Sequence, residues 1–247
     1  MLSKNTVKFI KSLHLKKYRR QEKAFLVEGA KSLQELLKSQ YDIRFMVLTQ
    51  SQADLLANEL KSRRVEVIIA TANQLEQIST FKSNDAGLAV VTLPEERSPK
   101  PASKGLTLCL DDVRDPGNLG TIIRIADWYG VREIVCSEET AEFYNPKVIS
   151  ATMGSFCRVG VSYTSLTEYL SEIKLPVYGA FLAGDNIYKS ELPSDAVIVM
   201  GNESNGISDE VAALISHRLT IPSFGAAESL NVAIATAVIC DNFRRGA

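Results

Sequence analysis

LTLCLDDVRDPGNLGTIIRIADW, residues Leu106 to Trp128, is an apolar run, then a polar turn, then a second apolar stretch with helical character. Five residues such as LTLCL fit a strand buried on both faces, the signature of a parallel sheet. Pro116-Gly117 supplies the turn, and a helix is expected from Leu119 to Tyr129. Asn118 suits its N-cap, because a side-chain oxygen there can accept a bond from an amide two or three residues on. Arg124 interrupts the apolar run about two turns into that helix, where a guanidinium requires an anion or a carboxylate partner.

The same grammar continues downstream. EIVCS, RVGVSY, VYGAFL, AVIVMG and RLTIP read as strands, with helical stretches between them and a closing helix from Leu230 to Arg244. Strands alternating with helices imply an α/β fold with a mostly parallel sheet covered on both faces. Ligands of such sheets sit outside the carboxyl ends of the strands. Upstream, FLVEG, IRFMVLT, VEVIIA and GLAVVTL alternate with helical stretches to make a smaller α/β domain over residues 1–93. In PEERSPKPASKG, Pro94, Pro99 and Pro101 remove three backbone hydrogen-bond donors and favour extended backbone. Residues 94–104 therefore read as a linker, and residues 105–247 as the second domain.

Composition sets wider bounds. At 247 residues, with 45% hydrophobic and 23% charged residues, the chain has ample material for a packed core. No run of about 18 apolar residues occurs, and the basic start has no apolar block behind it, so neither a membrane span nor a secretory signal is expected. A cytoplasmic location follows as an expectation. Cys109, Cys136, Cys157 and Cys240 are widely spaced in apolar runs, and His14 and His217 lie far apart. Reduced core cysteines are expected, without a metal site. The net charge of −1 hides a basic start: Lys4, Lys8, Lys11, Lys16, Lys17, Arg19, Arg20 and Lys23 face only Glu22 among the first 23 residues. Such an arm is suited to contacting nucleic-acid phosphates or, equally, to being a solvated helix face.

Two further polar clusters stand at strand ends. Gly201-Asn202-Glu203-Ser204-Asn205-Gly206 follows AVIVM, with glycines that permit close backbone approach and positive φ. It lacks the Lys-Ser/Thr of a phosphate loop and any G-x-G-x-x-G. Ile221 to Asn231 runs from RLT through a Gly-Ala loop, and Ser229 or Asn231 is placed to cap the last helix.

The ordered set D-x-x-x-D-P-x-N-x-G-x-x-x-R, G-N-E-S-N-G and I-P-x-x-G-x-x-x-S-L-N-V resembles the three motifs of SpoU (TrmH-like) RNA 2′-O-ribose methyltransferases, over the C-terminal half. K-K-Y-R-R-x-E-x-x-F-L-V-E-G resembles, more loosely, the L30e/L7Ae-like substrate-binding domain of that family. The resemblance implies a deep trefoil knot in the C-terminal sheet, a homodimer, S-adenosyl-L-methionine as methyl donor, and RNA as partner. Carried over by motif position, Arg124, Asn118, Glu203, Ser229 and Asn231 form the catalytic set, with Glu203 pairing with Arg124. Backbone groups at Gly201, Ile221 and Leu230, with Leu182, line the cofactor pocket. Lys16, Lys17, Arg19 and Arg20 would contact RNA. The family assigns Arg124 either as general base or as orienter; a guanidinium, which rarely gives up its proton in a protein, favours an anion-binding orienter. Ribosomal RNA is the expected substrate, with large-subunit rRNA preferred; alternatives are a tRNA methyltransferase, a knotted base-nitrogen methyltransferase, or a non-catalytic RNA-binding or ribosome-assembly protein on the same fold. A nicotinamide oxidoreductase is excluded by the missing glycine fingerprint.

Overall fold

The computed structural model describes residues 2–95 and 98–245; Glu96 and Arg97 of the expected linker, and both chain ends, lie outside them. The chain forms two compact units. Met1–Glu95 with Glu142–Cys157 make the first, and Glu96–Ala141 with Arg158–Ala247 make the second.

In the first unit the order is α1 (Lys4–Ser12), α2 (Lys16–Glu22), β1 (Ala24–Glu28), α3 (Ala30–Lys38), β2 (Ile43–Leu48), α4 (Gln50–Leu55), α5 (Ala57–Arg63), β3 (Val67–Ile69), α6 (Ala72–Glu76) and β4 (Gly87–Thr92). The sheet order is β1-β4-β2-β3, with β4 antiparallel to both neighbours and β2 parallel to β3. All five β1 residues are buried, because both faces of this edge strand are covered. Ala24 and Leu26 join a cluster with Ile10, Leu13, Val47, Leu75 and Val90. Phe25 points the other way, with its ring 5.6 Å from Tyr41, 4.6 Å from Tyr144 and 6.4 Å from Phe156. Tyr144 and Phe156 belong to the segment Glu142–Cys157, which contains α8 (Pro146–Ala151). A stretch that local pattern assigned to the second domain thus completes the core of the first unit.

Arg19 sits in that unit at 2% exposure. Its guanidinium donates to the Leu13 and His14 carbonyls, each at 2.9 Å, and forms an ion pair with Glu142. A charge buried so deeply persists only when paired and hydrogen-bonded, and every contact here does that.

The second unit holds β5 (Leu106–Leu110), α7 (Pro116–Trp128), β6 (Glu133–Cys136), β7 (Gly160–Tyr163), α9 (Leu166–Ser171), β8 (Val177–Asn186), β9 (Ala196–Met200), α10 (Asp209–Ala212), β10 (His217–Thr220) and α11 (Val232–Arg244). Its six strands run parallel in the order β10-β8-β9-β5-β6-β7, as the alternation predicts. The central pair, β5 and β9, is buried along its whole length, as apolar runs in a sheet covered on both faces must be. Each buried Leu or Val contributes about 1.5–3 kcal/mol. Burial raises the thiol pKa of Cys109, Cys136 and Cys240, so these side chains are neutral core residues.

Candidate functional site

From β5 the chain proceeds to β6 and β7 on one side, whereas β9 and β8 lie on the other. The sheet's direction of winding therefore reverses between β5 and β9, the place where open parallel sheets bind ligands. These strands are in register from Leu106↔Ala196 to Leu110↔Met200, so their exit loops leave side by side. After β9 the chain makes a tight turn in which the amides and carbonyls of Asn202 and Gly206 bond to each other at 2.9 and 3.0 Å. A Cβ on Gly201 would lie 2.2 Å from the Gly206 carbonyl carbon, so residue 201 must be glycine for the turn to fold back. Gly206 takes φ +71°, the conformation glycine was expected to supply.

The loop after β5 enters α7 three residues earlier than the sequence suggested. Asp115, not Asn118, is the N-cap: its Oδ1 accepts from the Asn118 amide at 2.8 Å, with Pro116 at the first helical position. The Asn118 side chain is consequently free for other work. Its Nδ2 donates to Glu203 Oε1 at 2.7 Å, and its Oδ1 accepts from Asn231 Nδ2 at 2.9 Å. Asn231 is the N-cap of α11, with Oδ1 accepting from the Ala233 and Ile234 amides at 2.9 and 3.3 Å. This fixes the direction of the whole chain. The cap turns the Asn231 amide outward as donor, Asn118 must accept it, and the remaining Asn118 N–H groups face the carboxylate of Glu203. Three loops far apart in sequence are joined at one side-chain bridge.

Arg124 and Ser229 stand outside that bridge. Gly117, Thr121, Arg124 and Trp128 form the exposed face of α7, at the spacing of successive helical turns. Water reaches the guanidinium, so the internal partner expected for it is unnecessary. Among the described residues Arg124 makes no ion pair, and the Glu203 carboxylate expected to hold it is instead hydrogen-bonded to Asn118. Ser229 is exposed in the loop before α11, and Asn231 takes the cap that either could have filled.

Gly201, Leu182 and Ile221 follow the pairing of β9, β8 and β10, three neighbours in the sheet. Leu182 lies within β8 rather than after it. The β8–β10 register jumps from Gly179↔Arg218 to Asp185↔Leu219, so residues 180–184 bulge out at the level where β9 ends. Thr220 Oγ1 donates to the Leu182 carbonyl at 3.1 Å and ties the bulge to the start of the third loop. Leu182 (81%), Phe224 (92%) and Leu230 (51%) expose apolar side chains along these loops. S-adenosylmethionine needs an apolar bed for adenine with main-chain groups at its rim, and these residues fit that need. Among the described residues no group of three or more His, Cys, Asp or Glu side chains is arranged to hold a metal ion.

In the first unit, Lys16, Lys17 and Arg20 are exposed on α2, and Lys4, Lys8 and Lys11 on α1. Arg19, grouped with them by charge, points inward to Glu142 and presents nothing to solvent. No helix among the described residues is long and apolar enough to cross a membrane. Asp111, Asp112, Asn202 and Ser208 stand in or beside the first two motifs but receive no role from the sequence; they link the two central loops. The available signal was the pair of acids directly after β5, since a buried carboxylate beside a strand end requires donors.

Residues 105–241 match the SpoU rRNA Methylase family, and residues 4–89 match the MRM3-like substrate binding domain. The chain is 31% identical over 242 residues to the 23S rRNA (guanosine(2553)-2′-O)-methyltransferase RlmP of Bacillus subtilis (strain 168), covering 96% of this chain and 95% of that one. It superposes on a TrmH-family structure from Porphyromonas gingivalis with TM-score 0.87 at 42% identity, covering 100% of both chains. An AdoMet-bound rRNA methyltransferase from Sinorhizobium meliloti gives TM-score 0.88 at 29% identity, covering 100% of this chain and 96% of that one. With three motif loops at the carboxyl ends of a parallel sheet and these matches along both halves, the chain belongs to the SpoU rRNA methylase family.

Proposed function

We propose that this protein transfers a methyl group from S-adenosylmethionine to a ribose 2′-hydroxyl of large-subunit ribosomal RNA. The observation that carries the reading is the Glu203–Asn118–Asn231 bridge, which brings all three family motifs to one place beside the switch point. Its relative in Bacillus subtilis is named for the same reaction on 23S rRNA.

When bound, the cofactor supplies an electrophilic methyl carbon and a neutral sulfur leaving group. The protein's part is to place the ribose oxygen in line with it, which is worth about 7–11 kcal/mol when the geometry is right. Arg124, solvent-facing and without an ion pair among the described residues, binds a phosphate or the cofactor carboxylate and stabilises negative charge growing on the 2′-oxygen. The hydroxyl proton leaves to solvent water at the open face of the site. Glu203 lies at the end of the bridge with Oε1 committed to Asn118, and Asn231 keeps that orientation through its cap. Ser229, exposed beside Leu230, supports the substrate-facing edge of the third loop.

Lys16, Lys17 and Arg20 contact RNA phosphates, extended by Lys4, Lys8 and Lys11 on the exposed side of α1. The protein works as a homodimer in the cytoplasm, where ribosomal RNA is found. Support for the dimer comes from Trp128, 85% exposed on α7, and Ile234, 54% exposed on α11, which packs beside it. A trefoil knot also belongs to this reading; support comes from the return of the chain from β10 at the sheet edge to α11 against α7. Mass-spectrometric mapping of 2′-O-methyl groups in rRNA and tRNA, with and without the gene, tests the function. Loss of one methyl group from large-subunit rRNA is expected; a loss confined to tRNA, or none at all, would refute it.

A further inference from the structure

Two loops leave the switch point side by side, and two side chains sew them together. Asp111, 6% exposed, directly follows β5, with Oδ2 accepting from the Ser208 amide and hydroxyl, both at 2.8 Å. Asn202 makes the second stitch. Its Nδ2 donates to the Asp112 carbonyl at 2.7 Å and lies 3.3 Å from Asp112 Oδ2. Its Oδ1 accepts from the amides of Ser204 and Asn205 at 2.8 and 3.1 Å. One carboxamide therefore spends both ends: the acceptor shapes the turn that carries Glu203, and the donor anchors that turn to the loop that leads to Asn118.

The anchor point is itself held in an uncommon conformation. Asp112 takes φ +59°, tolerated by aspartate at a cost of about 1 kcal/mol. Its amide donates to Ser137 Oγ at 2.9 Å, and its Oδ1 accepts from Arg114 Nε at 2.6 Å. Strain at a residue tied on every side indicates that its position is specified by its neighbours. Asp112 is three residues before the Asp115 cap and six before Asn118, so fixing it fixes the start of α7 relative to the turn.

We propose that Asn202 is a positioning residue for methyl transfer: its carboxamide clasps the turn bearing Glu203 to Asp112 and thereby sets the distance at which Glu203 meets Asn118. The proposal rests on the reading of Glu203 as part of the reaction centre. Without the clasp the turn still closes through the Asn202–Gly206 backbone pair, but its tip is free to move by the ångström or so that separates an aligned carboxylate from a misplaced one. A displacement of that size costs about 10²-fold in turnover.

The experiment compares three variants of the full-length protein: Asn202→Asp, Asn202→Ala, and Asn202→Asp combined with Asp112→Asn. Asn202→Asp keeps the acceptor for the Ser204 and Asn205 amides but cannot donate to Asp112. The double variant restores a donor and an acceptor only at the 3.3 Å side-chain contact, because the 2.7 Å acceptor is the Asp112 main-chain carbonyl, which neither substitution alters. Turnover and KM are measured with rRNA, S-adenosylhomocysteine affinity by calorimetry, and folding by thermal melting. Expected are a fall of about 10²-fold in kcat for both single variants, with KM for RNA and cofactor-product affinity within about threefold of wild type. The double variant stays within about threefold of Asn202→Asp, because the bond to the main-chain carbonyl remains unmade. Asn202→Ala covers the case in which the added charge of Asn202→Asp disturbs folding. Wild-type kcat in either single variant, or wild-type kcat restored in the double variant, overturns the proposal. Glu203→Gln run alongside separates the two ideas: an active Glu203→Gln removes the reading of Glu203, whereas an inactive Glu203→Gln with fully active Asn202 variants removes only the clasp.

Discussion

Arg19 and Arg124 are both helical arginines singled out from the sequence, and the fold uses them in opposite ways. Arg19 is 2% exposed, with its guanidinium divided between two carbonyls and Glu142. Arg124 lies on the open face of α7 and makes no ion pair among the described residues. A charge whose bonding capacity is used up inside the protein serves architecture; one left unspent beside a ligand-binding strand end is available for chemistry. The contrast teaches that a cation's role follows from what remains unsatisfied on it, and residue type or local charge density says little.

The largest expected effect breaks the contrast from the side of chemistry. Arg124→Ala lowers kcat by about 10³-fold, the upper end for removing one transition-state charge contact, while the melting curve stays at wild type. Near-wild-type methyl transfer would refute its role. From the other side, Arg19→Ala leaves Glu142 without its partner and costs about 3 kcal/mol, near the low end for breaking a buried pair, since Glu142 retains 19% exposure. Calorimetric unfolding checks this, and cofactor affinity measured below the transition should be unchanged. Trp128 shares the face of Arg124, and Trp128→Glu should weaken the dimer by about 10²-fold, the effect of losing an interfacial hot spot; light scattering across a dilution series reads it. The smallest effect belongs to the solvated cations. Replacing Lys16, Lys17 and Arg20 together by Ala should reduce the slope of log affinity against log salt by about 2, near 0.7 for each contact with single-stranded RNA. Adding Arg19→Ala to that set should change stability but not the slope.

Much of this architecture was legible because strand-end loops announce themselves. An apolar run that stops at Asp111-Asp112, or at Gly201-Asn202, locates a loop without knowledge of its neighbours, and the two were readable as parallel because helices separate them. The cap of α7 was misread by three residues. Asp-Pro at 115–116 is the stronger start signal, since Pro fits the first helical position, and giving Asp115 the cap leaves Asn118 free to reach Glu203. The burial of Arg19 was beyond local pattern, because its carboxylate stands at residue 142 and nothing near Arg19 points there. For the same reason Glu142–Cys157 read as ordinary βα grammar: its apolar residues are the same whichever core they enter. Glu203's partner was misassigned because charge pairing with Arg124 is the simpler expectation, whereas the exposed arginine is hydrated and the amide of Asn118 is closer to hand.

The borrowed segment Glu142–Cys157 bears on how the protein is made. A ribosome releases the chain from its amino end, and the first unit cannot finish folding when Glu95 emerges, because Phe25 still lacks Tyr144 and Phe156, and Arg19 still lacks Glu142. At 5–20 residues per second the remaining stretch to Cys157 takes on the order of 3–12 s. During that interval a complete sheet with Phe25 uncovered and an unpaired internal charge waits beside the translation machinery, exposed to chaperones and proteases. Slowing synthesis between residues 95 and 157 should therefore lower the yield of intact protein more than the same delay placed after residue 157.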